Sequence, residues 1–408
     1  MNKILVLILT SAMSLLTLNA CEKQDPDSGD NTYMPITLTK AEESVAKGAN
    51  AFGFDVYHAL YKDEQMLVSP LSLSLALSMT ACGAGGRTAE QMCSVLGFGD
   101  SSTEDVAGYY KKMVSSLMSI DNKTTFEIAN SIWADKRLKV KNDFLALTDK
   151  YFSSEVKNVD FASPSTVDAI NEWCSDNTHG KISKIIEKLD PGTVMALINA
   201  LYFKGKWAFE FNDKTRFEQF TTISGSKVKH DMMSATERLR YSSSEGYEMV
   251  SLPYGNGAFQ MSVILPPKDI PFAKAADNMD DGRWNALNSS LTTCNVNLKI
   301  PEFKFEYSSD LGEVLKALGM TDAFSASADF SGISDASLYI DSVIQKTFIE
   351  VNTKGTEAAA ATIVTMKLTA AGPPQEPKNV DFIADRPFLF VISEQSTGAI
   401  LFIGQKVD

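Results

Sequence analysis

The sequence predicts an α+β fold, because helical and strand-like segments follow one another in irregular order. The sequence from Thr39 to Thr80 is typical of helices, and within it Ser69-Pro70 marks the start of a second helix. The segments Ala200–Phe203 and Phe259–Pro266 are typical of strands. No internal repeat with a period of about 20–50 residues occurs in the sequence, which argues against a repeat architecture.

The remaining elements support the same class. Asp310–Leu318 is typical of a capped amphipathic helix. The chain ends in two segments too apolar to face water, Pro387–Ile392 and Ala399–Ile403, which we expect to be strands joined through residues 393–398. The glycine-rich stretch Gly83–Thr88 follows a helical pattern and lacks the Gly-Lys-Ser/Thr ending of a phosphate loop, so it is predicted to be a helix-ending turn.

Composition excludes several classes of function. The chain has 408 residues, of which 44% are hydrophobic, and a formal net charge of −13, which disfavours general nucleic-acid binding. Its three histidines, His58, His179 and His230, are far apart in sequence and form no HxxxH or HExxH motif, so neither a multi-histidine metal site nor any cofactor is expected. A hydrolase has few candidate bases here and no GxSxG motif.

Residues 1–20 are predicted to be an export signal. A positive start with Lys3 precedes an apolar run, Ile4–Leu18, which is shorter than the roughly 20 residues needed to cross a bilayer. Leu18–Cys21 resembles a bacterial lipobox, although Asn19 stands where a small residue is usual. We expect Cys21 to become the lipid-bearing first residue of the mature chain; plain secretion with cleavage after Ala20 is the alternative.

Residues 21–37 are predicted to be an acidic, flexible tether between the lipid and a folded domain. The stretch Glu22–Asn31 is rich in Asp, Ser, Gly and Pro and has little apolar surface to bury. Several acyl chains on one residue would anchor the protein stably. The expectation is therefore an exported bacterial lipoprotein at the periplasmic face or cell surface, with residues 38–408 as one monomeric domain.

Two further clusters have ordinary interpretations. Four more cysteines have apolar neighbours and form no CxxC motif, so we expect buried free thiols, with a disulfide framework as the alternative. A basic cluster could bind a glycosaminoglycan, but on so acidic a protein a solvated strand-and-turn face is favoured. The cysteines are Cys82, Cys93, Cys174 and Cys294, and the basic residues are Lys136, Arg137, Lys139 and Lys141.

The segment 355–381 is longer than a loop that merely connects two strands needs to be, and loops of this length are usually functional or disordered. Three prolines exclude a helix or central strand from the second half. In a strand, the residues of the first half would alternate between two faces, and only one of these faces carries charged side chains. The first half is therefore compatible with a strand that buries its uncharged face. The uncharged face contains Thr356, Ala358, Ala360, Thr362, Val364 and Met366, and the other contains Glu357, Ala359, Ala361, Ile363, Thr365 and Lys367.

The segment Gly355–Thr362 closely resembles the hinge of inhibitory serpins, which are suicide inhibitors of serine and cysteine proteases. The resemblance covers about residues 38–408 and includes several motifs in the family order. These are Ser69–Ser72 with Gly83-Ala84, Asn171–Trp173 with Thr178–Ile182, Asn199–Trp207, Leu252–Tyr254, Ala328–Gly332 and Arg386–Phe390.

The resemblance implies a fold and a mechanism. The fold has three β-sheets, eight or nine helices and an exposed reactive-centre loop. A protease attacks the loop as a substrate and forms an acyl-enzyme. The cut loop then enters the central sheet as a new strand and traps the protease covalently. The chain is accordingly expected to be an inhibitor and not an enzyme.

The resemblance also assigns residues to the region where the sheet opens. Ser69, Ser72 and Asn199 would lie in this region, and Trp207 near the point where the loop first enters. The chain departs from the family at two positions that affect opening. Gln345 stands where many members have a histidine, and Thr353 replaces a common Glu.

The usual family spacing places the cleaved bond 14 residues after the hinge glycine, at Thr369-Ala370. Leu368-Thr369 and Lys367-Leu368 remain alternatives, because the Pro-rich second half is longer than in most relatives. Small residues suggest an elastase-like or subtilisin-like target, Leu a chymotrypsin-like or cysteine protease, and Lys a trypsin-like one.

Two other functions remain open from the sequence. The same fold could serve as a non-inhibitory binding or scaffold lipoprotein, since fold does not dictate function. Non-inhibitory relatives commonly carry bulky or charged hinge residues, and Thr356, Ala358 and Ala360 are neither. A lipid-anchored hydrolase is the third possibility, disfavoured by the scarcity of histidine.

Overall fold

The computed structural model describes residues 31–152, 154–190, 193–212, 216–356 and 377–408. Residues Thr32–Asp408 form one compact unit. Helices and strands alternate irregularly along it, which confirms the α+β class. The α-helices of the described ranges are α1 Lys40–Leu60, α2 Pro70–Ala81, α3 Gly86–Val95, α4 Thr103–Leu117, α5 Asn142–Phe152, α6 Pro164–Asp176, α7 Phe272–Asp277, α8 Asp281–Ser289 and α9 Gly312–Ala317.

The strands form two sheets. They are β1 Met66–Val68, β2 Thr124–Asp135, β3 Glu155–Val159, β4 Met195–Lys206, β5 Arg216–Thr221, β6 Lys227–Ser244, β7 Tyr247–Pro253, β8 Phe259–Leu265, β9 Thr292–Pro301, β10 Phe303–Asp310, β11 Ser342–Asn352, β12 Gly355–Thr356, β13 Asn379–Ile383, β14 Phe388–Glu394 and β15 Ile400–Lys406. One sheet has the order β10-β11-β12-β4-β2-β3. The other has the order β1-β15-β14-β8-β7-β6-β9-β13, with β5 also paired to β6.

The three sheets that the resemblance implies are present, because the larger hydrogen-bonded sheet has two parts. Its strand β6 is 18 residues long and belongs to both parts. The first half of β6 pairs with β5, and the second half pairs with β7, while β9 pairs with the middle. A single long strand therefore joins what would otherwise be two separate sheets.

The main hydrophobic core lies between the sheets and includes α2, in which Pro70–Thr80 are all buried. A second, smaller core lies on the other face of the six-stranded sheet, where Ile170 and Trp173 of α6 pack with Ala196 and Ile198 of β4. Both faces of β4 are consequently covered, which explains its nearly continuous apolar sequence.

The structure differs from the sequence-based expectations at three places. The helical text between Thr39 and Thr80 contains β1, which forms because it pairs with β15. The expected helix at Asp310–Leu318 is shorter, because Asp310 still pairs with Ile344 as the last residue of β10. Residues assigned to the tether contact the body, since the hydroxyl of Tyr33 donates to Glu394 Oε1 at 3.0 Å.

Within the described ranges no helix is both long and apolar enough to span a membrane.

Candidate functional site

The candidate site is the junction between β4 and β11 in the six-stranded sheet. At one end of this junction, the lower end, the two strands pair directly and in parallel. Ser342–Gln345 lie opposite Ala196–Asn199 there. The junction is closed at this end by a continuous sheet.

At the upper end, the short strand β12 separates β4 from β11. Thr356 pairs with Gly205 of β4 and with Val351 of β11, antiparallel to both. The first two residues of the predicted hinge are therefore already part of the sheet. Residues 357–376 lie outside the described residues.

Between the two ends, the described chain supplies no strand between residues 200–204 of β4 and residues 346–350 of β11. A narrow gap bordered by Phe203, Ile349, Thr356 and Phe402 lies here. The sheet thus has an opening one strand wide above a closed lower end.

The register of the sheet is continuous across this opening. If the pairing of Thr356 continued down the opening, residue 358 would lie between Phe203 and Ile349, and residue 362 between Asn199 and Gln345. Asn199 and Gln345 are already direct partners at the lower end. A strand could therefore extend from β12 without changing the register of either neighbour, by separating the pairs at the lower end.

Gly355 and Thr356 make close contacts at the entrance of the opening. Gly355 has a φ of +138°, and a Cβ there would lie 2.1 Å from the carbonyl oxygen of Gly205, so only glycine fits. Thr356 is buried, and its Oγ1 lies 2.7 Å from the hydroxyl of Tyr254. Burial raises the pKa of Tyr254 far above its usual value, so this hydroxyl remains neutral.

Trp207 lies beside the entrance. Its ring stacks on Tyr254, with 4.4 Å between ring centroids, and its indole N–H donates to the carbonyl oxygen of Asn352 at 2.9 Å. Asn352 is the last residue of β11, and a turn of two residues, Thr353 and Lys354, joins it to β12. Trp207 therefore links the residue after β4 to the end of β11, beside the start of the hinge.

The residues predicted to lie where the sheet opens form one buried cluster around the lower end. The backbone N–H of Ser69 donates to Gln345 Oε1 at 2.9 Å, and the Gln345 amide donates to the Ser69 carbonyl oxygen at 3.0 Å. The Ser72 hydroxyl donates to Asn199 Oδ1, and the Asn199 amide donates to Asn130 Oδ1 at 2.6 Å.

These contacts show what the departure at Gln345 does. The neutral Gln345 amide connects β11 to the start of α2 through two hydrogen bonds, one donated and one accepted. Because an amide does not titrate, these hydrogen bonds do not depend on pH. Ser69 immediately precedes α2 but makes no side-chain cap, and its buried hydroxyl has no partner among the described residues.

The second departure, Thr353, lies in the turn before Gly355. The backbone N–H of Thr353 interacts with the carboxylate of Glu302, and burial together with Asp231 and Glu350 raises the pKa of Glu302. Thr353 thus contacts a neighbouring carboxylate through its backbone.

The outer face of the junction is covered by the segment that follows α6. The Asn171 side chain holds this segment, because its Oδ1 accepts from the N–H groups of Ile185 and Ile186 at 2.8 and 3.1 Å. The ammonium of Lys346 on β11 donates to the carbonyl oxygen of Lys184 at 2.8 Å. The segment therefore bridges β4 and β11 across the opening.

Other expected site residues lie outside the described residues. They are Glu357, Ala358, Ala359, Ala360, Ala361 and Thr362 of the hinge, the candidate cleavage residues Lys367, Leu368, Thr369 and Ala370, and the lipidation candidate Cys21. The remaining two hinge residues, Gly355 and Thr356, are the ones in β12.

The cysteines and the basic cluster do not contribute to this site. The four cysteines of the described chain are free, and burial raises the pKa of Cys82 and Cys174 to about 12, which leaves these thiols unreactive. Three of the four basic residues pair with carboxylates: Lys136 with Asp160, Arg137 with Asp135, and Lys141 with Asp335. Most of the cluster's charge is therefore neutralised locally.

Sequence reasoning missed several residues of the site. Tyr254 lay inside a quoted motif, but its contact with Thr356 joins residues 102 positions apart and leaves no local signal. Asn171 also lay inside a quoted motif, without an assigned role. Asn130 lay in no quoted motif, and a polar side chain within a strand such as β2 is the one signal that could have identified it.

Comparisons with known proteins agree with this architecture. A family model described as Serpin (serine protease inhibitor) matches residues 47–408. An uncharacterised serpin-like protein of Thermococcus kodakarensis is 34% identical over 390 residues, which cover 93% of this chain and 90% of that protein.

Solved structures give the same result. The native state of tengpin, a thermophilic serpin, has a TM-score of 0.80 and 33% identity, covering 92% of this chain and 97% of that one. Thyroxine-binding globulin in complex with thyroxine has a TM-score of 0.79 and 27% identity, covering 89% and 98%. On the match over residues 47–408 and the shared fold, the chain belongs to the serpin family.

Proposed function

We propose that this serpin is a suicide inhibitor of serine endopeptidases, and of cysteine endopeptidases that cleave the same loop. The observation that carries the proposal is the opening between β4 and β11, which is one strand wide and in register with Gly355 and Thr356. A loop that continues from β12 has a ready acceptor on both sides.

The chemistry belongs to the protease, and the inhibitor supplies the conformational change. The protease nucleophile attacks the carbonyl carbon of the loop residue on the N-terminal side of the cleaved bond and forms an acyl-enzyme with release of the new amino terminus. The loop, no longer held at its C-terminal end, then extends from Thr356 between the two strands. The acylated protease moves with it and is distorted before water can deacylate it.

The side chains that line the opening explain why small hinge residues are needed. In the continued register Ala358 meets Phe203 and Ile349, and Ala360 meets Leu201 and Thr347. All four neighbours are buried and belong to the main core or its edge. A methyl group fits this space, whereas a charge there would be buried without a partner.

The energy available is sufficient for the proposed trapping. About ten new ladder hydrogen bonds at a net ~1 kcal/mol each contribute on the order of 10 kcal/mol, before any packing is counted. This is comparable to the whole stability of a typical domain, so it can distort a bound protease.

The proposal is tested by incubation with trypsin, chymotrypsin and pancreatic elastase, followed by a denaturing gel. An inhibitor gives a covalent band of summed mass with at least one protease, and mass spectrometry of the released C-terminal peptide identifies Thr369-Ala370 or one of its alternatives. Clipping of the loop by all three without any covalent band would contradict the proposal.

A non-inhibitory binding role is the second candidate. It is supported by the similarity to thyroxine-binding globulin, whose structure contains a bound small molecule on the same fold. In that case the clipped protein would show no adduct and no gain in thermal stability, while the intact protein would still bind its ligand.

We further propose that the chain is an exported lipoprotein, anchored through Cys21 and monomeric, with the inhibitory body outside the cytoplasm. The lipobox-like Leu18–Cys21 supports this proposal. Expression in a bacterial host with labelled palmitate tests it: wild-type protein should carry label in the membrane fraction, and Cys21→Ser should carry none. Equal labelling of both would contradict it.

A further inference from the structure

We propose that the outer face of β6 and β9 carries a second protease-contact surface, which binds an acidic patch on the protease that attacks the loop. This inference rests on the proposed inhibitory function. The surface, here called the arginine corner, consists of Arg238 and Arg240 and lies beside the backbone of Lys378. It would select among proteases that cleave the same peptide bond.

The arginine corner is positively charged and uncompensated. Arg238 and Arg240 are exposed and alternate along β6, so both point away from the core that Leu239 and Tyr241 enter. Within the described ranges neither makes an ion pair, although 16 ion pairs are formed elsewhere by described residues.

The neighbouring strands keep carboxylates away from the corner. Arg240 lies opposite Thr293 of β9, and Arg238 lies opposite Asn295, which in turn lies opposite Asn379 of β13. The first carboxylate on this face is Asp381, one row further, and it already accepts from the Asn297 amide at 2.8 Å. The rows around both arginines therefore offer only neutral hydrogen-bonding groups.

The corner is continuous with the C-terminal end of the reactive loop. Lys378 is exposed and immediately precedes β13, and its carbonyl oxygen accepts from the N–H of Asn295 at 2.9 Å. Asn295 is also the residue opposite Arg238. Lys378 is thus the residue next to the row that contains Asn379, Asn295 and Arg238.

A protease bound at the loop reaches this surface. Eight residues connect Ala370 to Lys378, which span at most about 27 Å when fully extended. A protease domain of about 240 residues has a radius of gyration near 18 Å and hence a diameter of roughly 45 Å. A protease bound to the uncut loop at any of the three candidate bonds is therefore within reach of the arginine corner, before acylation breaks the link to Lys378.

Charge determines the chemistry of the partner surface. At physiological ionic strength charges are screened beyond about 8 Å, so the local sign beside the loop matters more than the overall charge of −13. Two guanidinium groups match carboxylates in geometry and charge. The occupant that fits is a patch of Asp and Glu side chains on the protease.

The test compares two double charge reversals with the same net charge. Arg238→Glu/Arg240→Glu changes the arginine corner, and the control Lys139→Glu/Lys188→Glu changes two exposed lysines next to the lower ends of β2 and β4. The probe is pancreatic elastase with succinylated lysines, which carries carboxylates in place of ammonium groups; unmodified elastase is the reference.

At about 20 mM NaCl we expect Arg238→Glu/Arg240→Glu to slow formation of the covalent complex with succinylated elastase about tenfold relative to the control variant. The difference should shrink below twofold at about 0.5 M NaCl, because exposed charges are screened. The neutral variant Arg238→Gln/Arg240→Gln should be intermediate. Equal rates for the two charge-reversed variants would overturn the proposal.

Failure of the inhibitory function gives a different result. If no variant forms a covalent complex, the dissociation constant is measured with succinylated elastase whose catalytic serine is replaced by alanine. Weaker binding of Arg238→Glu/Arg240→Glu would then uphold the contact surface while the inhibitory role fails. Loss of dextran sulfate binding with unchanged elastase binding would instead assign the corner to polyanionic polysaccharides and overturn the proposal.

Discussion

At the scale of single residues, the neighbours of the opening determine which hinge side chains can enter. Phe203 and Ile349 border the position that residue 358 would occupy, whereas Tyr202 and Phe348 border position 359 on the other face. Lys181 and Lys304 both lie over the Phe348 ring, at 5.4 and 5.5 Å. The two faces therefore differ in polarity at adjacent positions.

We expect Ala358→Glu to convert the inhibitor into a substrate. Its carboxylate would have to be buried between two apolar side chains, which costs several kcal/mol and slows insertion until the acyl-enzyme is hydrolysed. The matched control Ala359→Glu places the same charge beside two lysines. The ratio of covalent complex to cleaved product on a denaturing gel should fall at least tenfold for Ala358→Glu and remain near wild type for Ala359→Glu. Similar ratios would contradict the assignment of the inward face.

Gln345 allows a test of the lower end of the junction through pH. In Gln345→Glu the ionised carboxylate would face the Ser69 carbonyl oxygen, whereas the protonated form could donate to it and restore both contacts. Burial raises the pKa of such a carboxyl in the folded state above its unfolded value. Stability is then present at low pH and lost as pH rises through the folded pKa.

Thermal unfolding at pH 5 and pH 8 measures this effect. Gln345→Glu should be less stable than wild type by about 1–3 kcal/mol at pH 8 and should approach wild type at pH 5. The apolar variant Gln345→Met should show the same deficit at both pH values. A deficit for Gln345→Glu that does not change with pH would contradict the two-contact geometry.

At the scale of secondary-structure elements, the segment after α6 controls access to the outer face of the opening. Asn171 makes three hydrogen bonds to this segment, including one from its amide to the Ile186 carbonyl oxygen at 3.0 Å. Asn177, near the end of the same helix, donates instead to the carbonyl oxygen of Trp173 within the helix. Substitution of Asn171 therefore tests the anchoring of the segment, whereas substitution of Asn177 tests only the end of the helix.

Asn171→Ala is expected to loosen the segment and accelerate loop insertion. Loss of these bonds weakens the anchoring by about 2–3 kcal/mol. Incubation at 37 °C should consequently inactivate Asn171→Ala several-fold faster than wild type, with retention of secondary structure by circular dichroism. Asn177→Ala should inactivate at the wild-type rate, and equal acceleration in both variants would count against a specific anchoring role.

Much of the fold was predictable from sequence because its elements carry local periodic signals. The α+β class and the strands β8, β14 and β15 follow from patterns within about ten residues. By contrast, β1 has three residues within helical text and becomes a strand only through pairing with β15, more than 330 positions away. The hydrogen bonds between Asn171 and Ile185 and between Tyr254 and Thr356 could not be predicted either, because a single polar contact produces no periodic pattern in the sequence.

At the scale of the whole molecule, the register of the six-stranded sheet is compatible with the inserted arrangement that we propose. The residues of β4 and β11 that lie opposite each other across β12 are in the same register as the residues that pair directly at the lower end. Insertion of a full central strand therefore requires that the lower pairs separate, but neither strand has to slide along the other. The present arrangement leaves edges of two strands without a partner strand from the described chain. In the mechanism that we propose, insertion supplies the ladder hydrogen bonds that these edges lack and so favours the inserted form.

Cleavage of the loop is therefore expected to stabilise the molecule rather than weaken it. A gain on the order of 10 kcal/mol, spread over an unfolding entropy of roughly 0.8 kcal/mol/K for a domain of this size, raises the melting temperature by more than about 10 °C. Differential scanning calorimetry of intact and nicked protein measures this shift. Nicked Ala358→Glu serves as the control and should melt close to its intact form, because its loop is cut but blocked from insertion. If nicked wild-type protein melts at or below the intact protein, the two-arrangement account fails and the chain is a serpin whose sheet is already at its lowest free energy.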